Sequence, residues 1–224
     1  MSQVYIAVAG NIGVGKTSLV ERLCRHFDWQ PIYEAVAAHP YLDDYYRDMP
    51  RWGFHSQIYF LTMKLRQRQA IAATLRARSC CQDRSIYEDA EIFAWSLAKQ
   101  GILSARDFET YTLLYEAVVD TVPRPDLLIY LRAAVPTLAE RIVARGRPAE
   151  KGIPLAYLEC LNVRYEEWIA AFDRCPVLVL PADELDFVHN TAHLDHVFAQ
   201  VASALAPSLT LRYPPAGLAT HTQR

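Results

Sequence analysis

VYIAVAGNIGVGKTS, Val4 to Ser18, joins a short apolar run to a glycine-punctuated loop ending in Lys-Thr-Ser. The apolar run, residues 4–9, predicts a buried strand, and residues 17–27 put Leu19, Val20, Leu23 and Phe27 on one helical face. Between them, Gly10-x-x-x-x-Gly15-Lys16-Thr17 fills every fixed position of the P-loop pattern, in the strand–loop–helix context that pattern requires. Gly10, Asn11, Ile12, Gly13, Val14, Gly15, Lys16, Thr17 and Ser18 are therefore expected to wrap phosphate, with backbone N–H groups and a helix dipole directed at it. Lys16 is expected to reach the β- and γ-phosphates of ATP, and the Thr17 hydroxyl to ligate Mg²⁺. A glycine turn with a solvated lysine would share the motif but not its context.

Working outward, residues 31–35, 79–83, 126–131 and 177–180 are further candidate strands, and helical patterns lie between them. That alternation predicts an α/β chain with a parallel sheet covered by helices. Helices are expected over residues 52–78, over 104–121 behind the capping pattern Ser104-x-x-Asp107, and between Pro136 and Gly146. Asn190 is the expected cap of a last helix through Leu194, Val197, Phe198, Val201 and Leu205. One domain is expected over residues 1–206, and residues 207–224, with three prolines and no periodicity, read as a flexible tail.

The 224 residues are 52% hydrophobic, enough for one sizeable core, and the formal net charge is -2. No global basic field exists to draw nucleic acid or an anionic membrane, so neither is expected as a partner. Five cysteines without metal-ligand spacing point to reduced thiols and a cytoplasmic location. No apolar segment approaches the roughly 18 residues of a membrane span. None of the seven histidines falls in a metal-ligand or triad arrangement; His39, His55, His189, His193 and His196 read as surface or packing residues.

Four stretches carry further chemistry. Glu34 stands at the end of the second strand, on the edge that lines ligand crevices in parallel sheets, where it could take a proton from a hydroxyl; a solvated strand-end glutamate reads the same way. Asp83-Arg84 ends the third strand; Asp83 could hold Mg²⁺ through water and Arg84 could steady phosphate or Glu34, although a surface ion pair has the same sequence. Arg141, Arg145 and Arg147, on a helix end and its loop, suit a lid over a triphosphate, or a solvated basic helix. Among the aromatic residues 45–60, mostly core in pattern, the Gln57 carboxamide could pair with the edge of a nucleobase.

With GNIGVGKTS, YEAV, HPYLDDYY, RWGFHSQIYF, DRSIYED and RIVARGRPAEKGIPLAYL in order, the chain resembles the deoxyribonucleoside kinases, in particular the bacterial deoxyadenosine and deoxyguanosine kinase branch. The resemblance implies a P-loop kinase-type five-stranded parallel sheet flanked by helices, with an arginine-rich lid, and a homodimer joined through a helix bundle. It implies Glu34 as the base for the sugar 5′-hydroxyl with Arg84 beside it, Tyr46 and Glu150 on the 3′-hydroxyl, and Trp52 and Gln57 at the nucleobase. Lys64 and Asp89 fall where the family carries an Arg–Asp pair, and lysine lacks the planar fork of arginine. Ala35 replaces the proline that many members have after the glutamate. The expected reaction is phosphorylation of a deoxyribonucleoside, deoxyadenosine first, with deoxycytidine or deoxyguanosine as alternatives. Two other readings share the P-loop: a nucleoside monophosphate kinase of the thymidylate kinase type, disfavoured by Glu34 and Glu150, and a nucleotide-binding regulatory module.

Overall fold

A computed structural model describes residues 3–34, 39–150 and 152–212. Strands β1 (Tyr5–Gly10), β2 (Gln30–Ile32), β3 (Cys80–Asp83), β4 (Leu127–Arg132) and β5 (Val177–Pro181) form one sheet in the order β2-β3-β1-β4-β5, with every pairing parallel. Parallel neighbours need crossover helices, which cover both faces, so the central strand β1 carries no charged side chain. In β1, Ile6 and Val8 pack with Leu19, Val20 and Leu23 of α1 (Lys16–Phe27), whereas Ala7 and Ala9 face the cluster that contains Leu61 and Tyr165. All six β1 residues are buried, so this strand is the centre of the sheet and anchors the loop that follows it.

The expected helix signals operate locally. Ser104 Oγ accepts from Asp107 N at 3.1 Å at the start of α6 (Ala105–Val119). Pro136 lies in the first turn of α7 (Val135–Arg145), and Gly146 ends that helix at φ 66°. Asn190 Oδ1 accepts from Ala192 N and His193 N ahead of α9 (Thr191–Arg212). That helix continues beyond residue 206, where the sequence pattern implies a tail; residues 213–224 lie outside the described residues.

Other boundaries differ. β2 stops at Ile32, so Glu34 follows the strand instead of ending it, and Ala35 is outside the described residues. α3 (Met49–Thr74) starts before Trp52 because Asp48 accepts from Arg51 N and Pro50 sits in the first turn. Three helical regions were not legible: α2 (Leu42–Arg47), α8 (Leu155–Ala171), and a continuous stretch in which α4 (Ile86–Glu88) passes through a π-helical segment, Asp89–Ala94, into α5 (Trp95–Lys99). The last of these is buried nearly all round, and a helix without a polar face shows no periodic stripe.

Candidate active site

A cavity of about 900 Å³ opens at the carboxyl edge of the sheet, bounded by the P-loop, the residues following β2 and β3, α2, α3, the π-helical segment and the end of α7. Its position beside the central strand is where a doubly wound sheet leaves a crevice.

The P-loop is held from several sides. Lys16 Nζ donates to Gly10 O at 2.8 Å and Asn11 O at 3.0 Å, and burial together with nearby Arg84 pulls its pKa down to about 8. Thr17 Oγ1 donates to Asp83 Oδ2 at 2.5 Å; Asp83 Oδ1 is buried without a hydrogen-bond partner. Gly13 has φ 86°, and a Cβ there would lie 2.8 Å from Leu138 O, so α7 can approach only a glycine. Ile12 through Ser18 line the cavity, whereas Gly10 and Asn11 do not. Asn11 turns to α8, donating to Leu158 O and Asn162 Oδ1.

Arg141, Arg145 and Arg147 all line the cavity. The Arg141 guanidinium donates to Val14 O at 2.9 Å and Ala182 O at 2.7 Å, so it also clamps the loop carbonyls. Arg145 and Arg147 both pair with Glu150, a buried carboxylate on the 3₁₀ turn Pro148–Glu150. Tyr46 lines the cavity nearby, its phenol raised far above the ordinary value by burial, with Tyr157 and Glu150 acting in the same direction. The neighbouring Tyr45 hydroxyl meets the Tyr157 hydroxyl at 3.0 Å.

Glu34, Arg84 and Glu88 form the charged wall. Glu34 Oε1 lies 3.7 Å from Arg84 Nε, and Arg84 Nε lies 3.9 Å from Glu88 Oε1. Burial pushes the Glu34 carboxyl up, but Arg84, Lys64 and Lys16 outweigh it and bring the group below the ordinary glutamate value. Arg84 stacks over Phe93 at 4.3 Å from the ring centroid and has φ 64°, a left-handed conformation uncommon for a residue with a side chain.

Gln57, Asp89, Phe60 and Phe93 line the same cavity. Gln57 Oε1 and Asp89 Oδ2 are buried with no hydrogen-bond partner. Asp89 is pushed up to about 7, chiefly by burial. Two residues expected at the nucleobase do not line the cavity. Trp52 stacks with Tyr41, centroids 5.7 Å apart, and packs against the core. Lys64 is buried behind the wall, bonded to the carbonyls of Asp83 and Arg84.

Sequence reasoning passed over several residues that bear on this site. Glu88, fully buried, accepts from Gly10 N, Ser85 N and Tyr165 Oη, linking the P-loop to α8; its signal was the Ser85-x-x-Glu88 capping pattern. Phe93 carried no signal, since an aromatic residue in an apolar run reads as core. Leu185 to His189 also line the cavity, with Phe187 3.2 Å from a Cβ placed on Gly15; the His189 side chain there is largely exposed. Among the described residues no group of three His, Cys, Asp or Glu is placed to hold a metal ion, and the five cysteines are free.

The model of the deoxynucleoside kinase family matches residues 6–206. A deoxyadenosine/deoxycytidine kinase of Bacillus subtilis is 40% identical over 202 residues, 89% of this chain and 92% of the relative. A deoxyguanosine kinase of the same bacterium is 34% identical over 203 residues, 88% of this chain and 95% of the relative. The structure of deoxyadenosine kinase from M. mycoides with bound dATP matches with a TM-score of 0.78 at 27% identity, over 89% of this chain and 100% of that one. Matches of this extent leave no place for a thymidylate-kinase or purely regulatory reading: the chain belongs to the deoxynucleoside kinase family.

Proposed function

We propose that this kinase transfers the γ-phosphoryl group of ATP to the 5′-hydroxyl of deoxyadenosine by preference, with deoxycytidine or deoxyguanosine as weaker acceptors, and so returns deoxynucleosides to the nucleotide pool. The observation carrying the preference is that Gln57 Oε1 and Asp89 Oδ2, two buried acceptors without partners, line the cavity that also holds the P-loop. Acceptors so placed favour a base that offers an amino group. A 40% identical relative named as a deoxyadenosine/deoxycytidine kinase agrees with this order.

In this reading Glu34 accepts the proton of the 5′-hydroxyl, and its depressed pKa keeps it ionised to do so. Arg84 orients Glu34 and faces the charge of the transferred group, while Tyr46 and Glu150 hold the 3′-hydroxyl. The P-loop backbone and Lys16 seat the donor phosphates, and Arg145 and Arg147 exchange Glu150 for phosphate oxygens as the triphosphate binds. The hard oxygens of Thr17 and Asp83, including the unpartnered Asp83 Oδ1, fit Mg²⁺, which supplies charge neutralisation on the phosphates. Positioning and electrostatics supply most of the rate.

The reading extends to a single domain over residues 1–206, a cytoplasmic location consistent with the free thiols, and a homodimer, for which the exposed Leu113 and Leu114 of α6 offer apolar surface. Among the described residues no helix is long and apolar enough to cross a membrane. ADP release measured with ATP and each of the four natural deoxynucleosides tests the function: deoxyadenosine should give the highest kcat/KM and thymidine the lowest. Failure of every deoxynucleoside to raise ADP release would sink the assignment, and sedimentation of the purified chain as a monomer would remove the dimer.

A further inference from the structure

Lys64, buried on α3 outside the cavity wall, is the meeting point of three parts of the site. Its Nζ donates to Arg84 O at 2.6 Å and to Asp83 O at 3.4 Å, and lies 3.6 Å from Glu34 Oε1. Two successive carbonyls aimed at one ammonium group hold the turn in which Arg84 takes its left-handed φ of 64°. Three residues along the same helix face, Gln67 Nε2 donates to Tyr33 O at 2.7 Å, while its Oε1 accepts from Gln82 Nε2 at 2.9 Å. One face of α3 therefore grips the backbone of residue 33, the carboxylate of residue 34 and the turn at residues 83–84. Asp89 Oδ2 stays without a hydrogen-bond partner.

An ammonium group suits this place because its three N–H bonds diverge toward oxygens in different directions, whereas a guanidinium spreads its donors in one plane. The chain otherwise makes little use of lysine: only four of its 23 Lys and Arg residues are lysines, and among the described ones only Lys16 and Lys64 are buried.

We propose that Lys64 is a positioning residue for the general base, tying the Glu34 carboxylate and the Asp83–Arg84 turn to α3. The proposal rests on the reading of Glu34 as the base. The titratable groups whose charges couple to Glu34 are Lys16 of α1, His39, Tyr46 of α2, Lys64 of α3, Arg84 after β3 and Asp89 of the π-helical segment.

Steady-state kinetics of Lys64→Met across pH supply the first test. Expected are a kcat for deoxyadenosine lowered roughly tenfold or more, the scale on which losing an outer partner acts, and a KM changed by less than about twofold. The acidic limb of kcat should move to higher pH as Glu34 loses a cation. A raised KM with an unmoved limb overturns the proposal. The second test does not need that variant to fold: the Lys64 side-chain ¹⁵N signal, resolvable among four lysines, should shift more in Glu34→Gln than in Asp89→Asn. The reverse order overturns the proposal. If Glu34→Gln turns over normally, the base assignment fails instead; if it is inactive while the lysine signal stays in place, only the role of Lys64 fails.

Discussion

Glu34 Oε1 and Arg84 Nε face each other at 3.7 Å, both buried and both without a hydrogen-bond partner. Attraction holds the pair together, yet each atom keeps hydrogen-bonding capacity that a hydroxyl between them would use. Glu34→Gln preserves the shape and removes the carboxylate proposed as proton acceptor. It should lower kcat for deoxyadenosine by roughly a hundredfold or more while leaving KM nearly unchanged. Turnover like the wild type would remove Glu34 from the chemistry.

Asp89 carries a stability prediction with a definite pH window. Its carboxyl is raised from 3.8 to about 7, first by burial, with Glu34 and Glu88 acting the same way and Lys64 and Arg84 opposing. The native state thus holds the proton more tightly than the unfolded chain, so stability falls as pH rises from about 4 through about 7. Asp89→Asn removes that loss. Thermal unfolding should show the variant more stable than wild type at pH 8, by on the order of 5 °C, with little difference near pH 4. Equal shifts at both pH values would contradict this account.

The P-loop depends on close approach by α7. At Gly13, φ is 86° and an added Cβ would meet both Leu138 O and Ile142 Cγ1 at 2.8 Å. Gly13→Ala should cost ~2 kcal/mol or more in denaturant unfolding, from backbone conformation and overpacking together. A midpoint within error of wild type would mean that loop and helix separate freely.

Thr17 and Asp83 should act as a unit toward Mg²⁺, given the 2.5 Å hydrogen bond that already pairs them. In Asp83→Asn the Mg²⁺ concentration giving half-maximal activity should rise roughly tenfold or more. An unchanged Mg²⁺ titration would place the metal elsewhere.

Arg141 shows how a correct element carries an unexpected duty. The arginines at 141 and 145 share a helical face and read as a pair, but the carbonyls of Val14 and Ala182 capture Arg141 because a packed helix meets two loops there. Arg141→Ala should weaken ATP binding by loosening the loop, raising the KM for ATP several-fold in steady-state kinetics. An unchanged KM would show that the loop holds its shape without this clamp.

Local chemistry was legible in the residues themselves. The P-loop lies in its strand–loop–helix context, Ser104 and Asn190 cap helices, Pro136 and Gly146 bracket one, and the strands alternate with helices as a parallel sheet requires. Each of these depends on neighbours a few residues apart, whose geometry the backbone dictates. What the tertiary structure alone decided is which distant groups share one small volume. It puts Glu88 beneath the P-loop, brings Phe93 to the cavity from a buried segment without periodicity, draws Trp52 into an aromatic cluster, and sets Lys64 beside Glu34. A buried charge settles where oxygens converge, and that convergence comes from strands and helices far apart in the chain.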